Sequence, residues 1–186
     1  MLYQIVTLLL QVIIGLVAGA CLLRLYLQYR RIPLAARSGN PLGPFIFSLT
    51  DWLVLPLRRM VRPIGNWDSA SLIAAYLLEI LHYTLLWLIV GAHGGLASIP
   101  VVAVLGLLHL ALSGATGLVI VYAVLSWVPG NSAITEVVAR MVAPWLKPIR
   151  RHIPLFGGVD LSPLVLLVLL QVASIVLDNL QAGVFG

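Results

Sequence analysis

Charge is what this sequence has least of. Only 9% of its 186 residues are Asp, Glu, Lys or Arg, against about 25% in soluble domains, and the shortage runs the whole length of the chain. With 61% hydrophobic residues and a mean hydropathy of +1.08, a water-soluble globular domain is excluded. Acids are scarcest: six, against eleven Lys and Arg, giving a net charge of +5. The basic residues collect between apolar runs, a distribution that marks membrane topology and argues against direct binding of nucleic acid. One cysteine is present, Cys21, so no intrachain disulfide can form and the redox compartment cannot be read. Walker A, H-E-x-x-H, G-x-S-x-G and paired-cysteine patterns are missing. The sequence therefore gives no sign of an enzyme, a metal or a cofactor.

What the chain does have is four long apolar runs, at about 2–23, 69–90, 101–127 and 161–180. At ~1.5 Å rise per residue each is long enough for a ~30 Å hydrocarbon core. The first lacks the basic start and small-residue cleavage site of a signal peptide and reads as a retained span. Every Lys and Arg falls in the first or third connection or at its helix borders, whereas the connection around 91–100 carries only His93 as a titratable group. The positive-inside rule puts the basic connections in the cytoplasm, with both termini and the middle turn outside. The expected fold is an all-α, multi-pass membrane protein with four transmembrane helices.

One element occurs twice. Pro56-Leu57-Arg58-Arg59 with Asp68 recurs as Pro148-Ile149-Arg150-Arg151 with Asp160, at a constant offset (148 − 56 = 160 − 68 = 92). Upstream the offset becomes 98, which aligns Gly15 with Ser113 and Gly19 with Gly117. The chain thus reads as two repeats, 1–92 and 93–186, each a span, an amphipathic segment and a span. Two spans per copy make both copies cross in the same sense, as in parallel repeats. Gly15, Gly19, Ser113 and Gly117 form small-x-x-x-small pairs suited to close helix packing.

Between Asn131 and His152 the residues Ile134, Val137, Val138, Met141, Val142, Trp145, Leu146 and Ile149 follow helical spacing. The stripe is expected to lie in the acyl boundary of the cytoplasmic interface, with basic residues at the headgroups. A re-entrant dip is the competing geometry. Pro144 and Pro148 are expected to kink or end this helix. Asp68 and Asp160 suit helix N-caps, and Arg58, Arg59, Arg150 and Arg151 carry guanidinium forks that match carboxylates. The cluster is either a salt-bridged structural hairpin or a site for lipid headgroups or partner proteins. Within the spans, Glu79, His82, His109 and Gln171 are the polar side chains of interest. An intramembrane carboxylate must be paired, inward-facing or protonated. Glu79 either hydrogen-bonds to Gln171, Gln11 or His109, or handles an ion or proton. The two histidines have no metal- or haem-ligand spacing.

Asn40-Pro41, Thr50-Asp51, Pro56-Leu57-Arg58-Arg59, Pro63-Ile64-Gly65 before Asp68, Ser126-Trp127, Pro148-Ile149-Arg150-Arg151, Ile153-Pro154, Gly157-Gly158 and Asp160-Leu161-Ser162-Pro163 together resemble the YggT family. These are bacterial inner-membrane proteins, with relatives in cyanobacteria and plastids called YlmG. The likeness covers nearly the whole chain. Arg62 interrupts a run that usually continues into Pro-Pro-Ile-Gly, and the second copy has Asn131-Ser132 in place of Asn-Pro. The resemblance implies links to osmotic-stress tolerance and ion balance. In plastid relatives it implies links to cytochrome b6 haem attachment and to nucleoid or division-related organisation. It supplies no catalytic residues.

These readings converge on a non-enzymatic membrane protein whose basic hairpins engage anionic lipid headgroups, with partner membrane proteins or further copies of the chain as other candidates. The alternatives are a small ion pathway or transporter centred on Glu79 and a membrane-protein or cytochrome assembly factor.

Overall fold

A computed structural model of the chain describes residues 2–34, 40, 42–61, 67–89, 96–127, 132–152 and 160–185. They form six α-helices: α1 (Leu2–Tyr29), α2 (Leu42–Met60), α3 (Ser69–Ile89), α4 (Ile99–Trp127), α5 (Ala133–Arg150) and α6 (Ser162–Phe185). A 3-10 turn, Leu96–Ser98, leads into α4. Arg37, Pro41, Arg62, Pro63-Ile64-Gly65, His93, Asn131, Ile153-Pro154 and Gly157-Gly158 lie outside the described residues.

Four helices, α1, α3, α4 and α6, are long and apolar enough to cross a membrane. Their outer surfaces expose Ile13, Leu16, Leu81, Leu108, Leu169 and Val172, a coat that water would not tolerate over so wide an area and that lipid tails solvate well. α1 is longer than its apolar run. Arg24 should end the span, yet the helix continues to Tyr29 because the guanidinium is neutralised inside the bundle. α1 then stops in a doubled cap: Arg31 N–H donates to Gln28 O (3.0 Å) and Ile32 N–H to Leu27 O (2.9 Å). Arg31 takes the left-handed backbone conformation that this cap requires (φ 54°).

Packing repeats in the two halves. α1 lies along α3 with α2 against both; α4 lies along α6 with α5 against both; α3 and α4 join the halves. The inward face of α1 is Ile14, Ala18, Cys21 and Leu25, and its first three residues meet Ala70, Ala74, Ala75 and Leu78 of α3. Alanines at the seam let the backbones approach, as small residues do between membrane helices.

The glycine pairs do not serve this purpose. A Cβ built on Gly15, Gly19 or Gly117 would meet nothing within 4 Å, and Ser113 is exposed. At ~100° per residue, a face set by positions 14, 18, 21 and 25 turns 15 and 19 aside.

The amphipathic stripe of α5 also serves a different role from the one expected. Val138, Met141, Val142 and Leu146 are buried within the bundle, packed on Val119 and Leu166 and, through Met141, on Leu27 and Ile46. The stripe is therefore used for tertiary packing before lipid can reach it. α5 also continues through Pro144 and ends at Arg150. Tyr26 O–H donates to Met141 O (2.6 Å), and the Tyr26 ring lies 5.2 Å from Trp145. Because Leu27, Ile46 and Met141 share one core, α2 and α5 sit at the same end of the bundle.

Candidate functional site

The doubled Pro-x-Arg-Arg element places one arginine of each pair against its aspartate. Arg58 Nη2 donates to Asp68 Oδ2 (2.5 Å) and to Gln28 Oε1 (3.1 Å). Arg150 donates through Nε (2.8 Å) and Nη2 (2.6 Å) to Asp160 Oδ2, and through Nη2 to the Tyr122 hydroxyl (2.9 Å). Each pair thus ties the end of its amphipathic helix to the start of the next span, with a polar group of the preceding span as the third member. Arg59 and Arg151 are exposed, and among the described residues no hydrogen bond or ion pair engages either guanidinium.

The aspartates also cap helices. Ser71 Oγ donates to Asp68 Oδ2 (2.7 Å), two residues after α3 begins at Ser69. Asp160 sits one residue further out and takes the Ser162 N–H on Oδ1 (3.0 Å). Burial alone would raise the Asp68 carboxyl, but hydrogen bonds from Arg58 and Ser71 outweigh it and hold it below the usual carboxylate range. Asp160 is lowered in the same way: burial opposes, while Ser162 and Arg150 prevail. The reverse holds for Arg150, where burial works against the charge but Tyr122 and Asp160 raise its proton affinity further.

The first copy contains one further buried charge, at the end of the first apolar run. Arg24 is 2% exposed and donates through Nη1 to Thr50 Oγ1 (2.7 Å) and Asp51 Oδ1 (2.6 Å). Its Nε lies 3.9 Å from Asp68 Oδ2, and its guanidinium stacks 4.8 Å from the Phe47 ring centre. Arg24, Asp51, Asp68 and Arg58 therefore form a four-charge network joining α1, α2 and the start of α3. A sequence signal existed: Arg24 is the first charge of the chain, and Thr50-Asp51 interrupts an apolar stretch at helical spacing from Ile46 and Val54. At the equivalent place (24 + 98 = 122) the second copy has Tyr122, which makes the second hairpin less charged. Asn40 completes the first hairpin, accepting the Leu42 N–H on Oδ1 (3.1 Å) and donating to Pro33 O (3.0 Å). Ser132 takes its place in the second copy (40 + 92 = 132) and accepts the Thr135 N–H (3.2 Å).

Within the spans, Glu79 is buried on α3, with His82 Nδ1 3.5 Å from Oε2. It faces α4 at Gly106, where a Cβ would stand 3.0 Å from Glu79 Oε2 and 2.6 Å from the Tyr83 ring and hydroxyl. Gln181 donates to that hydroxyl (3.1 Å). Gly106 is thus the glycine that a close helix approach requires. Gln11 and Gln171 are exposed and not joined to Glu79. His109 is not joined to it either, lying 3.1 Å from Asp178 Oδ1. Among the described residues no three His, Cys, Asp or Glu side chains come together as a metal site.

Four apolar spans carrying short basic hairpins at one end define a multi-pass membrane protein. The family model for CCB3/YggT matches residues 3–89 and 101–181, and the chain belongs to this family. It is 36% identical over 183 residues to the YggT protein of Escherichia coli (strain K12), covering 95% of this chain and 91% of that one. A protein of Vibrio alginolyticus described by its place in the proC 3′ region is 37% identical over 164 residues, covering 86% and 85%. A Haemophilus influenzae protein is 34% identical over 175 residues, covering 90% and 89%. No solved structure matches the chain.

Proposed function

We propose that this chain is a non-enzymatic protein of the bacterial inner membrane that binds anionic lipid headgroups through two basic hairpins on the cytoplasmic side, and so organises lipids and the partner proteins held with them. The observation that carries the reading is the division of labour within each arginine pair. Arg58 and Arg150 are taken up by Asp68 and Asp160, while Arg59 and Arg151 present exposed guanidinium groups. Phosphate oxygens are the natural acceptors for such a fork at a membrane surface. The basic residues that flank one end of the bundle support that orientation. Physiologically, the reading fits a role in osmotic or ion balance or in envelope organisation.

The test separates the two kinds of arginine. Arg59→Gln combined with Arg151→Gln should insert and melt normally yet fail to restore growth under osmotic stress to a strain lacking the gene. Normal complementation by that variant overturns the proposal.

A further inference from the structure

The two amphipathic helices are equivalent by sequence but present opposite outer faces. On α5 that face carries Glu136 and Arg140, an exposed pair 2.5 Å apart, together with exposed Lys147. The positions 92 residues earlier are Pro44, Ser48 and Leu55, so α2 carries none of these three charges and this face stays uncharged until Arg59 in its last turn. What it exposes instead is Phe45 at 61%, Trp52 at 63% and Leu55 at 49%.

The polar atoms on this face are already satisfied. Trp52 Nε1–H donates to Leu49 O (2.8 Å), and Ser48 O–H donates to Pro44 O (2.8 Å). The one mid-helix charge, Asp51, is drawn toward Arg24 (2.6 Å). A helix surface with its donors turned back onto its own backbone is suited to hydrocarbon, where unpaired donors are costly. The same face would gain nothing from water, while that of α5 requires it. The patch is also continuous in character with the lipid-facing surfaces of α1 and α3, the helices on which α2 packs, where Leu16, Leu72 and Leu81 are exposed.

We infer that α2 is a membrane-embedded wedge whose Phe45–Trp52–Leu55 face lies among phospholipid acyl chains, while α5 lies with its outer face in water. The duplicated hairpins thus work at different depths. The inference rests on the reading of the chain as a membrane protein and is independent of whether Arg59 and Arg151 bind headgroups.

Spin labels decide it. Ser48→Cys, Trp52→Cys, Arg140→Cys and Lys147→Cys are made singly in the full chain with Cys21→Ala, then reconstituted in vesicles of phosphatidylethanolamine and phosphatidylglycerol. Labels at 48 and 52 should collide preferentially with oxygen, and labels at 140 and 147 with a water-soluble nickel chelate, the ratio differing severalfold between the helices. Equal ratios overturn the inference. So do labels at 48 and 52 that neither reagent reaches, the result expected if a second copy covers α2. Should the Trp52→Cys protein fail to insert, quenching by brominated acyl chains gives a second measure. Trp52→Phe must remove a large share of the quenched emission, and an unchanged quenched fraction counts against the wedge. A normal headgroup interaction with failed spin-label contrast would refute this inference alone.

Discussion

Replacing Asp68 with Asn should destabilise the protein much more than the same change at Asp160, although the two residues are equivalent by repeat. Asn keeps an oxygen for Ser71 but removes the negative charge that faces Arg58 Nη2 and Arg24 Nε. The Asp68 side chain is 2% exposed. Removing one partner of a buried ion pair costs about 3–5 kcal/mol because the other charge is left uncompensated. Here Arg58 is 37% exposed and Arg24 keeps Asp51, which puts the cost at the low end, about 3 kcal/mol. The Arg150–Asp160 side chains are 44% and 30% exposed, the regime in which an ion pair contributes about 1 kcal/mol or less. The difference, about 2 kcal/mol, is roughly thirtyfold in the unfolding equilibrium at ~1.4 kcal/mol per tenfold. Reversible unfolding in mixed micelles with increasing dodecyl sulfate measures both variants against the parent. Equal losses, or a larger loss at Asp160, would refute the reasoning.

Other outcomes follow from the same contacts. Because the Asp68 carboxyl is held below its usual range in the fold, its contribution is fully present above the unfolded carboxylate value of ~3.9 and is lost as pH falls through the lower folded value. Acid unfolding of Asp68→Asn should lack that component, as pH-dependent melting would reveal. Gly106→Ala drives a Cβ into Tyr83 and Glu79 and should cost about 1–3 kcal/mol. Gly15→Ala and Gly117→Ala, with open space beside them, should be neutral or stabilise by up to about 1 kcal/mol; thermal melting in detergent compares them. Arg24→Met should release α2 while leaving α5 in place. Hydrogen exchange would then quicken on α2 and stay unchanged on α5, and equal protection of both helices in parent and variant would contradict it.

Much of the architecture was legible because membrane spans are read from length and hydropathy, which are additive along a sequence. The doubled Pro-x-Arg-Arg and aspartate spacing likewise carried the two hairpins. What escaped were features that depend on which way a helix is rotated. Gly15 and Gly19 have the spacing of a packing motif, but the inward face of α1 is fixed by Ile14, Ala18 and Cys21. Gly106, with no small partner four residues away in the motif sense, is where the bundle closes on Glu79. Arg24 ended a span by composition because charge is normally excluded from hydrocarbon. Its inclusion depends on Thr50 and Asp51, partners 26 and 27 residues away that no local pattern pairs with it. The stripe of α5 had the period of an interfacial helix, yet whether lipid or protein covers such a stripe is decided by the neighbouring spans.

The central claim, that the free arginines of the two hairpins hold anionic headgroups, is tested most directly by the affinity of the purified full chain for phosphatidylglycerol in neutral micelles, measured by native mass spectrometry. At about 1 kcal/mol for each basic side chain near the headgroups, Arg59→Gln with Arg151→Gln should weaken that affinity roughly fivefold at each hairpin, at unchanged melting temperature. Affinity for phosphatidylglycerol equal to that of the parent protein would contradict the account.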